Sequence, residues 1–343
     1  MVDLPNPLQQ RLDAELEGYS TRELARAADR LSDRYRADLP AAQPILASAL
    51  DLAAYLTTRM PATYAAARQV FDRLARARPD FEPRSMLDLG AGTGTCTWAA
   101  TKAFPSLESS HLVDSSPPAL DAAKRMLEGT ALHVRYVAGR IDRPGGWASA
   151  EPSAGSAESA AVGTAETGST GGFDLAICGF LLGELDAVDQ DRLLADVADA
   201  APVVVIIEPG TPAGYRRVLR ARTALIAAGH AVIAPCPHEG TCPLEGTQDW
   251  CHFAVRLTRS IRHRQVKGGD RGYEDEKYAY VVAGQAPADR SGRILRHPQI
   301  RSGHVRMTVC TTDPGVQAVT VSKRHRDQYR AARHAAWGDS WTP

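Results

Sequence analysis

The chain has 343 residues, 44% of them hydrophobic and 23% charged, and its formal net charge is zero. The apolar share suffices for a packed core, and the length suits two domains with an additional helical segment. No run of about 18 apolar residues occurs, and the start, Met1-Val2-Asp3-Leu4-Pro5, has neither a basic nor an apolar leader region. The expectation is therefore a cytoplasmic protein without membrane contact, and a disulfide framework, which belongs to secreted chains, is the weakest option for its cysteines. The zero balance conceals an asymmetry. From residue 251 onward there are 17 Lys+Arg against 8 Asp+Glu, so that part carries +9 and the remainder −9. Such segregation points to a polyanionic partner for the C-terminal part.

Residues 7–80 are rich in Ala, Arg and Leu and read as helices. Ser20 or Thr21 caps the first with Glu23 in its opening turn, Leu24, Ala27, Leu31 and Tyr35 recur at helical spacing, and Asp38-Leu39-Pro40 ends the run. Further helices are expected around 43–59 and 62–78. The arginines along these segments read as a solvated face.

Met86-Leu87-Asp88-Leu89 is a short apolar strand that runs into Gly90-Ala91-Gly92-Thr93-Gly94 and then a helix from Thr97 to Phe104. Glycines here let the backbone turn sharply and let a ligand approach the helix start. The spacing departs from the G-x-G-x-x-G dinucleotide fingerprint and is similar to the D-x-G-x-G-x-G form of class I S-adenosylmethionine-dependent methyltransferases. A second strand, His111–Asp114, ends in an acid about twenty residues further on, placed to meet a ribose. Strands follow at 134–142, 173–179 and 203–207, and their near-continuous apolar runs alternating with helices mean a parallel sheet covered on both faces. Candidate cofactor-binding residues are Asp88, Gly90, Gly92, Gly94, Asp114 and Asp142: Asp88 to orient the loop, Asp114 to meet the ribose, Asp142 or Ile141 to border the adenine. Residues 148–172, Ala/Ser/Gly-rich, read as a flexible surface insertion.

After a basic helix at 215–228 comes Pro235-Cys236-Pro237-His238…Cys242-Pro243…Trp250-Cys251-His252-Phe253, with cysteines spaced C-x5-C-x8-C. Pro and Gly interrupt this stretch so often that neither helix nor strand can run through it. The loop offers no apolar face on which to bury thiols, so convergence on a metal is the better reading. Cys310, in the β-like Arg306-Met307-Thr308-Val309-Cys310, supplies a fourth sulfur from a distance. Three ligands from a loop and one from a strand suit an iron–sulfur cluster. The paired C-x2-C knuckles of zinc modules are absent, yet zinc remains the alternative, and His238 and His252 are rivals to the fourth cysteine. Trp250 is expected to pack over the site. Beyond Phe253 the chain is β-like and basic, with strands expected near 255–259, 277–283 and 319–322 before a final basic helix. Arg and Lys interleaved with Tyr, His and Trp suit phosphate and base contact.

Leu87-Asp88-Leu89-Gly90-Ala91-Gly92-Thr93-Gly94, the loop Pro235–Phe253, the Cys310 region ending in Lys323-Arg324 and the lead-in Arg59-Met60-Pro61-Ala62-Thr63-Tyr64 together resemble the methyltransferase-like small-ribosomal-subunit assembly proteins of mitochondria and many bacteria. The resemblance implies an α/β class I methyltransferase fold, a 4Fe-4S cluster on Cys236, Cys242, Cys251 and Cys310, and association with small-subunit rRNA during assembly. The expected organisation is an N-terminal helical segment (1–80), a Rossmann-like methyltransferase domain (81–233) and a β-rich, metal-stapled basic domain (234–343), in a chain that is monomeric off the ribosome. Whether methyl is transferred stays open. The loop after the fourth strand, Cys178-Gly179-Phe180-Leu181-Leu182-Gly183-Glu184, lacks the Asp/Asn-Pro-Pro-Tyr/Phe run of amino methyltransferases. Cys178 reads as a buried strand-end thiol and Glu184 as a loop acid. An active rRNA methyltransferase and a small-molecule methyltransferase with structural zinc are the alternatives to an assembly factor.

Overall fold

The structure, a computed structural model, describes residues 1–37, 46, 48–140, 172–285 and 290–342. The expected insertion at 148–172 lies outside the described residues except for its last member, and Ile141 and Asp142 lie outside them too.

Helices α1 (Asn6–Glu15), α2 (Thr21–Ala37), α3 (Ala49–Thr58) and α4 (Met60–Ala77) lead the chain. Ser20 and Glu23 close α2 with a reciprocal capping box: Glu23 N–H donates to Ser20 Oγ and Ser20 N–H to Glu23 Oε2. Then β1 (Ser85–Leu89), α5 (Thr95–Ala103), β2 (Ser109–Asp114), α6 (Pro117–Leu127), β3 (His133–Ala138), β4 (Leu175–Gly179), α7 (Ala187–Ala200), β5 (Val203–Pro209), α8 (Pro212–Ala227) and β6 (Ala231–Ala234) alternate as expected. β7 (Phe253–Thr258), α9 (Ile261–Val266) and β8 (Tyr273–Gly284) follow, then β9 (Gly292–Ile294), β10 (Gln299–Arg301), β11 (His304–Cys310), β12 (Val316–Ser322), α10 (Arg326–His334) and β13 (Ser340–Trp341).

The larger sheet runs β3-β2-β1-β4-β5-β8-β6, with β7 also paired to β8. β1 to β5 are mutually parallel, and β8 is antiparallel to β5 and β6. A parallel sheet with one antiparallel strand inserted next to its end is the order of a class I methyltransferase. Alternate residues along each strand enter opposite layers, as the two-residue strand period requires. Met86, Ile177 and Val205 join a core with Leu8, Leu12, Met60 and Phe71 of the N-terminal helices, whereas Leu87, Cys178 and Ile206 join Leu193, Val197 and Leu225 of α7 and α8. The N-terminal helices thus share the core of the sheet.

One boundary differs from expectation. The large sheet runs across residue 234, because β7 and β8 pair into it. The smaller sheet is made, among the described residues, of β9–β13, over a separate core of Ile294, Val305, Met307, Val309 and Trp341 sealed by Ala332 of α10. The cysteine-bearing loop joins β6 to β7 and sits between the two sheets, where Arg293 Nε of β9 donates to Pro235 O at 2.9 Å.

Candidate functional site

The strand order reverses between β1 and β4, and open α/β sheets bind ligands in the crevice beyond the strand ends at that point. The glycine loop closes β1 there. Gly90, Gly92 and Gly94 all have positive φ, at 67°, 53° and 72°. A Cβ on Gly92 would meet nothing within 4 Å, so its backbone borders open space, whereas one on Gly94 would lie 2.9 Å from Leu127 Cδ1. Asp114, at the end of β2, accepts from Gly92 N–H at 2.8 Å through Oδ2 and from Ser116 N–H at 2.8 Å through Oδ1. Burial raises its carboxyl, and these backbone donors oppose the rise.

Asp88 is only 1% exposed and does not touch the glycine loop's amides among the bonds formed. Instead Thr97 donates to it from both N–H (3.2 Å) and Oγ1 (2.8 Å), so Asp88 fixes the first turn of the helix that follows the loop. Burial pushes its carboxyl up to about 7 against those hydrogen bonds.

On the other flank of the crevice Phe180 has φ 60°, and among the described residues it is the one non-glycine in the left-handed region. Such strain collects at functional loops. Buried Glu208 of β5 braces the same loop, accepting from Leu182 N–H at 2.9 Å and from Arg217 Nε at 2.6 Å. Burial, with the charges of Asp114 and Glu208 nearby, lifts Glu184 to about 7. Tyr35 and Tyr55, from α2 and α3, lie close enough to Glu184 to feel its charge. Phe180 of this loop packs against the core that the N-terminal helices build, a neighbourhood that no sequence pattern announced. Cys178 is fully buried on the α7–α8 side of β4, and burial pushes its thiol well up.

The second site lies behind the large sheet. Cys236, Cys242 and Cys251 from the loop and Cys310 from the end of β11 line one cavity, walled also by Tyr215, Arg222, His238 and Arg293. The thiols are near enough for their charges to interact, Cys251 with the other three and Cys310 with Cys236 and Cys242. Burial raises the thiols of Cys236 and Cys251 and brings that of Cys310 to about 12. Among the described residues, no three of His, Cys, Asp and Glu are gathered tightly enough to grip a single ion as they stand. Of the two rival histidines, His238 lines the cavity, its Nε2 lying 3.6 Å from Cys310 Sγ. His252 turns away to stack on Trp250 (5.2 Å) and meet the edge of Trp337 (4.9 Å). Trp250 packs beside the cavity with Leu244 and Leu295, its Nε1 donating to Gly210 O at 2.9 Å.

A basic surface covers the smaller sheet. Arg301, Arg306, Lys323, Arg324, Arg326 and Arg333 are exposed. Of the cations on α10, Arg330 meets Asp327, at 3.8 Å.

The sequence profile of the family described as mitochondrial small ribosomal subunit Rsm22 matches residues 49–342. The human mitochondrial ribosome assembly protein METTL17 is 28% identical over 303 residues, covering 83% of this chain and 61% of that protein. The Rsm22-cox11 tandem protein 2 of Schizosaccharomyces pombe, also mitochondrial, is 24% identical over 336 residues, covering 83% and 42%. The chain thus spans only about three fifths and two fifths of these relatives' lengths. Among solved structures, an O-methyltransferase family protein from Burkholderia thailandensis superposes with a TM-score of 0.43 at 14% identity, covering 82% of this chain and 72% of that one. These names overturn one expectation: the family and both relatives are mitochondrial, not cytoplasmic. A secretory-leader pattern bears on export from the cell and does not separate cytoplasm from mitochondrion.

Proposed function

The chain belongs to the Rsm22 family, and from that premise we propose that it is an assembly factor of the small ribosomal subunit that binds S-adenosylmethionine, holds an iron–sulfur cluster on Cys236, Cys242, Cys251 and Cys310, and contacts rRNA through its C-terminal basic face. The observation that carries the reading is the meeting of those four thiols, drawn from one loop and one remote strand, around a single cavity. The donor chemistry fits a cluster, for which thiolates are the usual ligands. The cavity that these thiols line measures about 30 Å3. A bound cluster would supply covalent cross-links between the two sheets, and at need a one-electron centre. The chain's own part is to deliver the sulfurs from both sheets and to screen them from water with Leu244, Leu295 and Phe253.

The glycine loop, with Gly92 open to the crevice and Asp114 pinning it, suits close backbone approach to the methionine and ribose parts of the cofactor. Asp88 acts indirectly, by fixing α5. The basic face offers exposed cations over the small sheet, and phosphate contact is the chemistry they suit. Proposed ribosomal association is tested by sedimentation: the protein should co-migrate with small-subunit precursors and leave them when the basic face is neutralised. A second reading, active methyl transfer to rRNA, is favoured by one feature, the near-neutral Glu184 at the crevice. Transfer of labelled methyl to rRNA, lost on Glu184→Gln, would establish it. Bound cofactor without transfer leaves the assembly role alone.

A further inference from the structure

The thiol cavity contains one cation, Arg222, that no ordinary packing need explains. Arg222 is 5% exposed and occupies the buried stripe of α8 with Tyr215, Val218 and Leu225, where an apolar residue is the rule. Its Nη2 donates to the carbonyls of His238 (2.8 Å) and Gly240 (2.9 Å), while its Nε is buried without a partner. Arg293 lines the same cavity from β9, donating to Pro235 O, Gly338 O and Ser340 Oγ with Asp339 near enough to act on its charge, and His238 contributes a second buried orphan, Nδ1. Tyr215 Oη lies 3.2 Å from Cys242 Sγ, close enough to donate to a thiolate there. Among the described residues, no Asp or Glu belongs to the lining. A buried guanidinium facing only neutral groups carries a large desolvation cost, relieved by an opposing anion.

We propose that Arg222 and Arg293 are the charge partners of an anionic metal–thiolate centre, and that Arg222, with the Tyr215 hydroxyl, sets how tightly that centre is held and how readily it takes an electron. The inference rests on the metal-site reading above. Four cysteine thiolates bring either a [4Fe-4S]2+ cluster or a zinc ion to a net −2, which the two arginines balance. Adding one electron from an external reductant takes the cluster to −3 with its thiolate bonds intact, and a nearby cation favours that extra charge. These residues are positioning groups that act through sulfur, in the manner of outer-shell partners at other metal centres.

The test compares wild type, Arg222→Met, Arg222→Lys and Tyr215→Phe, each reconstituted anaerobically with ferrous iron and sulfide, for metal retained under a chelator and for midpoint potential by spectroelectrochemistry. Loss of the cation in Arg222→Met should speed metal release about tenfold. It should also shift the reduction equilibrium about tenfold toward the oxidised form, a fall of about 59 mV for one electron. Arg222→Lys should restore both, which a purely structural role for the guanidinium fork would not allow. Tyr215→Phe should lower the potential while keeping the fold, so the inference stays testable if Arg222→Met does not fold. If wild type takes zinc instead, the release rates alone carry the comparison. Wild type that loads metal while Arg222→Met and Tyr215→Phe match it in release and, for a cluster, in potential overturns this inference alone. Wild type that takes up neither iron and sulfide nor zinc overturns the metal-site reading together with it.

Discussion

Asp114 Oδ2 accepts a hydrogen bond from the backbone N–H of Gly92 at 2.8 Å, so the acid that closes β2 holds the loop that closes β1. Since charged hydrogen bonds contribute about 1.5–3 kcal/mol each, Asp114→Ala should lower affinity for S-adenosylmethionine at least about tenfold. Isothermal titration checks this; unchanged affinity would remove Asp114 from the site.

The glycines of that loop should not respond alike. Ala at Gly92 meets open space and incurs only the left-handed backbone strain, about 1–2 kcal/mol. Ala at Gly94 adds contacts at 2.9 Å with Leu127 and 3.2 Å with Leu112, so overpacking of about 1–3 kcal/mol comes on top. Denaturant melts should therefore rank Gly94→Ala well below Gly92→Ala. Cofactor affinity should still fall in Gly92→Ala, because its methyl enters the space the ligand needs. Equal stability losses would contradict the loop geometry.

The sheet and this loop were legible because parallel strands buried on both faces are written as short apolar runs, and because glycines with positive φ have few substitutes. The place of β8 was not. Its first half, Tyr273-Glu274-Asp275-Glu276-Lys277, is polar, and it pairs β5 across more than sixty positions of chain, so it read as part of a C-terminal domain. Spacing alone does not reveal which carboxylate the loop's amides reach, so the expectation gives Asp88 a loop-orienting role, whereas Gly92 N–H bonds Asp114. The thiols were legible from their loop; their neighbours Tyr215, Arg222 and Arg293 were missed. Arg222 did leave a signal, a charge at a core position of an otherwise apolar helical stripe, whereas Arg293 lies on a three-residue strand with no pattern to read.

Asp88 gives a pH signature. Its folded value of about 7 exceeds the ordinary 3.8, so the folded state holds the extra proton between those limits. The sign follows: this group's contribution to stability falls as pH rises from about 4 to about 7, and its cost is fully present above 7. Asp88→Asn keeps an acceptor for Thr97 and removes the charge. It should match wild type near pH 4 and exceed it above pH 7 by about 1–3 kcal/mol, measured by urea unfolding across that range. Identical pH profiles for the two proteins would contradict it.

The basic face should act on phosphate without regard to sequence. Arg326, Arg330 and Arg333 lie on α10, exposed to solvent. Replacing all of them by Gln should weaken binding to a small-subunit rRNA fragment and flatten the log–log salt dependence by about 2–3. A filter-binding series across salt concentrations reads both. A flat salt response in the wild type would move the RNA contact elsewhere.

The claim on which the rest depends is that the four sulfurs share one inorganic centre. Anaerobic purification followed by iron and acid-labile sulfide analysis tests it most directly. The account predicts brown protein with about four irons and four sulfides per chain, as a 4Fe-4S centre requires, and loss of both in Cys310→Ser with the methyltransferase-like sheet still folded. Wild type that binds no metal at all would contradict it, and colourless wild type carrying zinc would keep the shared centre but contradict the cluster.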